Sequence, residues 1–460
     1  MKLKTAIDIS SSLKFMIENL ELQSNIGKQI LLNLDFCNDK IELNREFEAI
    51  LFMKNKIAEN TKIVEDFNIK LYRIKDIRGS LNNLKGRNTL DDIELFEIKN
   101  FCILSEEIRK LCDLYRIHIF EIPHLQQVID ILDPEGNKVP TFYVYDAYSE
   151  ELHKLRKKIK SLGKENIAEI EKLRFSAEQI EDTIRQSLSA DLFVHVDKII
   201  TALEKIAKLD ILLSKSIQTI EMNLCKPEIT ESITSYKSLI NPQIDELLKF
   251  QNKKYQPIDI EIRKSPCLIT GANMSGKTVL LKTVALAQYL AQFGFFIPAK
   301  EAKVCLVDKI MLCMDDKQNE LKGLSSFAAE ILEINNIIQE SKNNSNVLVL
   351  IDELAKTTNP VEGSAIVNAV LEILDQQEIR SLITTHYSDI HYKTRRLRVK
   401  GLKEESAKIN KDNINDYIDY SLIETEETEV PHEAIRIAEI LGVDGEFISE
   451  IRKQLTTNSM

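Results

Sequence analysis

The stretch Leu268-Ile-Thr-Gly-Ala-Asn-Met-Ser-Gly-Lys-Thr278 constrains this chain more than any other. An apolar run from Cys267 to Ile269 leads into Gly271, four spacers and Gly276-Lys277-Thr278. An apolar helical pattern follows from Val279. This order predicts the strand, loop and helix of a phosphate-binding P-loop, G-x-x-x-x-G-K-[ST]. The glycines let the backbone curl so that its N–H groups face phosphates, and the next helix adds its positive N-terminus. Gly271, Ala272, Asn273, Met274, Ser275, Gly276, Lys277, Thr278 and Val279 are therefore the nucleotide-binding candidates. Lys277 is expected to reach the β- and γ-phosphates, and the Thr278 hydroxyl to hold Mg²⁺. The chain is expected to bind a nucleoside triphosphate.

Composition narrows the setting. With 460 residues and 43% hydrophobic content the chain can fill two or three cores. No apolar run is long enough for a membrane span, and the N-terminus lacks the apolar segment of a secretory signal. Seven cysteines without a C-x-x-C pair predict free thiols in a reducing cytoplasm. A net charge of −11 offers no global attraction to nucleic acid, so any such contact must come from a local basic surface.

Along the chain, residues 1–125 carry apolar residues at three- and four-residue spacing, as in Ile26, Ile30, Leu31 and Leu34, and predict helices. Asp91 to Tyr115 reads as two amphipathic helices. Asp133-Pro-Glu-Gly136 is a turn, and Thr141 to Tyr145 suggests a small hairpin. From Ser149 to Cys225 there is no proline and one glycine, Gly163, which predicts an antiparallel helical arm over about 150–210. Lys154, Arg156, Lys157, Lys158 and Lys160 read as a solvated helix face. Prolines at 227, 242 and 257 mark the exit, with a domain boundary near residue 250. Beyond it, strand patterns at Cys267–Thr270, Ala302–Val307, Ile310–Met314, Val347–Ile351 and Ser381–Thr385 alternate with helical ones. The expected fold is α/β, a largely parallel sheet flanked by helices, behind a mostly helical first part. Residues 400–425 read as loops or edge strands.

Two further elements carry chemistry. Val347 to Ile351 is a continuous apolar strand that delivers Asp352 and Glu353 at its C-terminal end. Asp352 is expected to support the hydration shell of Mg²⁺, and Glu353 to polarise the attacking water as general base. Ser381 to Thr385 ends in His386, whose strand should lie beside the P-loop strand, within reach of a γ-phosphate or the water.

These elements together resemble the ATPase of the MutS mismatch-repair family. Its P-loop reads Gly-Pro-Asn-Met-Gly-Gly-Lys-Ser/Thr, followed by a glycine and Val-Pro-Ala, as Gly294 and Pro298-Ala299 follow here. Asp352-Glu-Leu-Ala-Lys-Thr-Thr-Asn-Pro-Val-Glu-Gly363 is similar to the family's Asp-Glu-Ile-Gly-Arg-Gly-Thr-Ser-Thr-x-Asp-Gly, and Thr384-Thr-His-Tyr387 to its Ala-Thr-His-Tyr. Asp315-Asp316 and Leu324 to Glu330 resemble the loop and helix start that meet a partner subunit's nucleotide, which implies that Ser325 or Ser326 acts in trans. Tyr255 and Pro257 stand at the family's Phe-Val-Pro-Asn-Asp, which implies that Tyr255 stacks on adenine. Val430-Pro431 through Leu441-Gly442 resembles a closing helix-turn-helix used in dimerisation. Gly27 to Leu31, Asp76-Ile-Arg78 and Asp146 to Arg156 look like the core helices of the second MutS subfamily.

The resemblance implies an ABC-type P-loop NTPase domain over 251–460 and a helical core or lever domain over 1–250 with a shortened arm. It implies ATP and Mg²⁺ as ligands and a homodimer with composite sites. It also implies a chain without the mismatch-reading and connector domains, most of the clamp, or a nuclease tail. Within the ATPase, Ser275 replaces a glycine, Lys356 an arginine and Ile258 an asparagine beside the nucleotide. Two client classes follow: DNA gripped by the arms in a mismatch-repair or recombination role, or a protein remodelled by the same motion. Some clampless relatives are thought to do the latter as reactivating factors for B12-dependent aminomutases. A continuous basic surface between the arms would separate the two. Its candidates are Lys154–Lys160 and the Lys393, Arg395, Arg396, Arg398 and Lys400 cluster, the second of which reads as a solvated ATPase edge.

Overall fold

The computed structural model describes residues 1–137, 142–163, 166–271, 275–314, 326–344, 346–356, 358–387, 389–402, 417–426, 433–440 and 442–458. They divide into two compact units. One comprises Leu20–Leu34 and Ala49–Ile217; the other comprises Met1–Asn19, Asp35–Glu48 and Gln218–Met460.

The first unit is helical throughout its described residues. Asp92–Tyr115 is a single 24-residue helix rather than the two expected. It opens on a capping box of Asp91 and Glu94, holds no glycine or proline, and closes where Arg116 turns left-handed at φ 54°. The hairpin expected at Thr141–Tyr145 is absent among the described residues, where 142–145 form no strand. Of these aromatics Tyr145 packs as core: it is buried and meets Phe142 and Tyr148 edge-on at 5.9 and 6.0 Å. Helices Glu150–Ser161 and Ile167–Phe193 pack together, with Leu152 and Ala177 buried between them. Arg156 braces the pair by donating to the Val144 carbonyl, Asp146 and Glu181.

Two buried ionisable groups bind distant segments of this unit. Lys99 Nζ donates to Asp133 Oδ1 at 3.0 Å and to the Tyr145 hydroxyl at 2.7 Å, with all three residues buried. Asp210, on helix Val196–Glu221, accepts from Ser24 N, Ser24 Oγ and Gln23 N at 2.8, 2.5 and 3.2 Å. It thereby holds the start of helix Asn25–Leu32.

The second unit holds both sheets. Its strands are β1 (Glu228–Thr230), β2 (Thr234–Leu239), β3 (Ile258–Ile262), β4 (Pro266–Thr270), β5 (Glu301–Cys305), β6 (Lys309–Cys313), β7 (Val347–Ile351), β8 (Arg380–Thr384), β9 (Arg395–Leu402) and β10 (Ile418–Glu424). The larger sheet runs β10-β9-β4-β8-β7-β6, parallel except for β10. β7 and β8 are buried along their whole length, as strands covered by helices on both faces must be. Helix Lys277–Gln292 is buried on nearly every side, while Ser326–Asn343 and Pro360–Gln376 cover the β6-β7-β8 region. The smaller sheet is ordered β1-β5-β2-β3, so the strand expected at Ala302–Val307 forms but belongs to a different sheet from its neighbours in sequence.

That second sheet shifts the expected boundary from residue 250 to Gln218, because β1 and β2 pair with β5 and β3. Two N-terminal segments join the same unit. Cys37 N donates to the Gln292 carbonyl at 2.9 Å, and Phe36 packs on Tyr289 and Phe293. Residues 400–425 resolve into the end of β9 and β10, with 403–416 outside the described residues.

Removing the cation from the Lys99–Asp133 pair leaves a buried carboxylate uncompensated. Lys99→Met is expected to cost roughly 3–5 kcal/mol in chemical denaturation. Lys99→Met/Asp133→Leu should recover most of it, and equal losses in both variants would show that the charge itself is immaterial.

Candidate functional site

The site gathers where β4, β8 and β7 end side by side. Register pairs Ile269 with Thr384 and Ile351 with Ile383, so three loops emerge together. β4 delivers Gly271, and helix Lys277–Gln292 starts immediately after Gly276. Gly276 has φ 82°, and a Cβ there would lie 3.1 Å from the Tyr420 ring, so both backbone and space call for glycine. Lys277 is buried and donates from Nζ to the Gly271 carbonyl at 2.8 Å. Burial pushes its pKa down, while Glu353 and Asp352 draw it back. Ser275 Oγ is buried with no hydrogen-bond partner among the described residues. A phosphate oxygen would satisfy it, as it would the first N–H groups of the helix. Ala272, Asn273 and Met274 lie outside the described residues.

Across the cleft the two acids are fixed. Thr278 Oγ1 donates to Asp352 Oδ2 at 2.5 Å, and Thr384 Oγ1 donates to Asp352 Oδ1 at 2.8 Å. The same Thr384 hydroxyl accepts from Glu353 N at 2.7 Å. Glu353 takes φ 50°, which bends the chain so that its side chain meets His386, with Nε2 2.6 Å from Oε1. Lys356 Nζ lies 3.4 Å from Oε2. Lys277, Thr278, Asp352, Glu353 and His386 thus lie around one cleft. No group of three or more His, Cys, Asp or Glu is gathered as a metal cage among the described residues. The oxygen donors Thr278 and Asp352 nevertheless fit Mg²⁺, which takes one or two protein oxygens and fills the rest with water and phosphate.

Beside the P-loop opens a cavity of about 250 Å³ whose walls include Tyr255, Ile258, Gly276, Val279 and Tyr420. Burial pushes the Tyr255 hydroxyl pKa up, so its ring is a neutral apolar wall. Gln256 ties this wall to β10: its Nε2 donates to Asp419 Oδ1 at 2.8 Å and Ser421 Oγ at 3.1 Å, and its Oε1 accepts from Tyr420 N. Although burial opposes it, donation from Ser421, Gln256 and Lys400 holds Asp419 below the usual carboxylate range. The size and apolar lining suit a planar base.

Ser325 lies outside the described residues, and Ser326 opens helix Ser326–Asn343. Sequence reasoning missed Tyr420, which is far downstream on a short edge strand. It also missed Thr384, although this residue stands where the MutS pattern has alanine. The two basic candidates are largely engaged within the chain. Lys154 and Lys158 face Glu150 and Glu169, Arg395 pairs with Glu424, Arg396 donates to the Ile390 carbonyl, and Lys400 pairs with Asp419.

Comparison with known proteins agrees with this geometry. The family described as MutS domain V matches residues 267–458. Endonuclease MutS2 of Caldicellulosiruptor saccharolyticus is 38% identical over 218 residues, covering 46% of this chain and 26% of that protein. Endonuclease MutS2 of Finegoldia magna is 29% identical over 352 residues, 76% of this chain and 42% of that protein. DNA mismatch repair protein MutS of Clostridium kluyveri is 26% identical over 402 residues, 84% of this chain and 42% of that protein. The chain therefore spans less than half the length of these relatives. Residues 267–458, the part that carries the P-loop and both acids, are similar to MutS domain V.

Proposed function

We propose that the chain binds ATP with Mg²⁺ and hydrolyses it, and that it does so as a homodimer whose nucleotide state drives closure of the helical arms, most favourably on DNA. The observation that carries the hydrolytic reading is the continuous chain from Thr278 through Asp352, Thr384 and Glu353 to His386. Bound Mg²⁺ would supply charge neutralisation on the phosphates beside Thr278 and Asp352. Lys277 binds the phosphates, Tyr255 and Tyr420 cover the base, and Glu353 takes the proton of the attacking water while His386 fixes its orientation. Ser325 and Ser326, the second of which opens helix Ser326–Asn343, are proposed to act on the partner's nucleotide.

DNA as client rests on the printed names of the relatives, a mismatch-repair protein and an endonuclease among them. A second reading, a protein client, is favoured by the engagement of the cations on helix Glu150–Ser161 and on β9 with acids and carbonyls of the same chain. Each DNA phosphate contact needs a free cation. The seven free cysteines support a cytoplasmic setting, and no helix among the described residues is long and apolar enough to cross a membrane.

Lys277→Ala is expected to abolish tight ATP binding. Glu353→Gln should bind ATP, lose roughly a hundred-fold or more in turnover, and accumulate as undissociated dimer. Normal turnover in either variant would overturn the site assignment. For the client, steady-state ATPase rates with and without duplex, mismatched and branched DNA are compared at low and physiological salt. A several-fold change that survives physiological salt is the expected result, whereas an unchanged rate with intact basal turnover would favour the protein client.

A further inference from the structure

Two left-handed residues stand close together at the end of β7. Glu353 has φ 50° and Ala355 has φ 63°, and neither is glycine. That backbone region is uphill for an L-residue with a side chain and persists only where the surroundings over-determine it. For Glu353 the cause is β8: Thr384 Oγ1 accepts from Glu353 N, and the Thr384 carbonyl accepts from Leu354 N at 3.0 Å. Neither contact reaches Ala355.

Ala355 is gripped separately. Its N–H donates to Glu330 Oε1 at 2.5 Å, from helix Ser326–Asn343. Its carbonyl accepts from the Tyr387 hydroxyl at 2.6 Å, and the same hydroxyl lies 3.4 Å from the Thr358 carbonyl. Ala355 itself is fully buried. Helix Pro360–Gln376 makes room for the phenol at Gly363, where a Cβ would stand 2.2 Å from Tyr387 Cζ. Glu330 and Tyr387, from two separate elements, thus grip both sides of one residue two positions beyond Glu353, and Gly363 of a third makes room for the phenol. The next residue after Ala355 is Lys356, whose ammonium faces Glu353 Oε2.

We propose that Glu330 and Tyr387 are positioning residues that hold the turn through Ala355 left-handed and so aim the Glu353 carboxylate. This rests on the reading of Glu353 as general base. Lys277 and Thr278 sit on the far side of the cleft, so the clamp bears on turnover and leaves nucleotide affinity alone. A merely structural role would instead lower the amount of folded protein and leave kcat per folded molecule intact.

The test uses the full chain with Glu330→Gln, Glu330→Ala and Tyr387→Phe. It reads kcat and KM for ATP, binding of a non-hydrolysable ATP analogue, and amide hydrogen exchange over 352–358 without nucleotide. Glu330→Gln keeps a carbonyl oxygen for Ala355 N–H and should retain most of the rate. Glu330→Ala and Tyr387→Phe should each lose about ten-fold in kcat, the scale of one lost buried hydrogen bond to a charged or peptide group. KM and analogue binding should stay within two-fold, and exchange over 352–358 should accelerate. Tyr387→Phe removes one hydroxyl and keeps the ring, so it decides the question if Glu330→Ala fails to fold. Unchanged kcat in Tyr387→Phe, a loss in Glu330→Gln equal to that in Glu330→Ala, or unchanged exchange would overturn the proposal. Should the native chain prove no faster than Glu353→Gln, the hydrolytic reading has failed, and exchange alone then decides whether Glu330 and Tyr387 hold the turn.

Discussion

The hydroxyl of Thr384 is the point on which the second unit's chemistry depends. It donates to one acid and accepts from the backbone of the other, at the end of a strand that lies between those of the P-loop and the acids. A parallel sheet makes this feasible because its strands deliver their C-terminal ends to one edge, where loops from non-consecutive strands meet. Thr278 then closes the circuit from the P-loop helix to Asp352. Both Asp352 oxygens and the Thr384 hydroxyl thus have partners that fix their directions. The left-handed bend at Glu353 is stabilised by contacts outside its own loop.

Much of this was legible in the sequence because it is local. The P-loop spacing, the apolar strand ending in Asp352-Glu353 and the strand ending in His386 each sit within one short window, and the structure builds each strand within a residue or two of its expected limits. Partner choice between strands is non-local and was not legible. β5 reads like any strand of the parallel set, yet it pairs with β1 and β2, whose residues carry no strong strand pattern. Residues 1–19 and 35–48 read as helix like the rest of 1–125, and nothing in their composition reports that Phe36 and Phe47 pack on rings beyond residue 288.

The misread segments have a common physical origin. Phe142 to Tyr145 has the residue types of a strand, but aromatics fit a pleated surface and a helical core equally well. What decides is the demand of Lys99, whose buried ammonium draws the Tyr145 hydroxyl inward. Tyr420 was missed for the converse reason: a single aromatic on an edge strand gains meaning only when Gly276, far away in sequence, leaves the space beneath its ring.

Charge is spent differently in the two units. In the helical unit the costly buried groups, Lys99 and Asp210, join segments distant in sequence and touch no part of the P-loop chemistry. Burial raises the pKa of Asp210, against the hydrogen bonds that Ser24 and Gln23 donate to it. The same bonds demand Gly27, where a Cβ would lie 2.7 Å from Asp210 Oδ2. In the sheet unit, by contrast, the buried Lys277 faces two acids across a cleft that a polyphosphate would fill. The first unit therefore uses buried charge to fix its own packing, whereas the second holds it beside the P-loop.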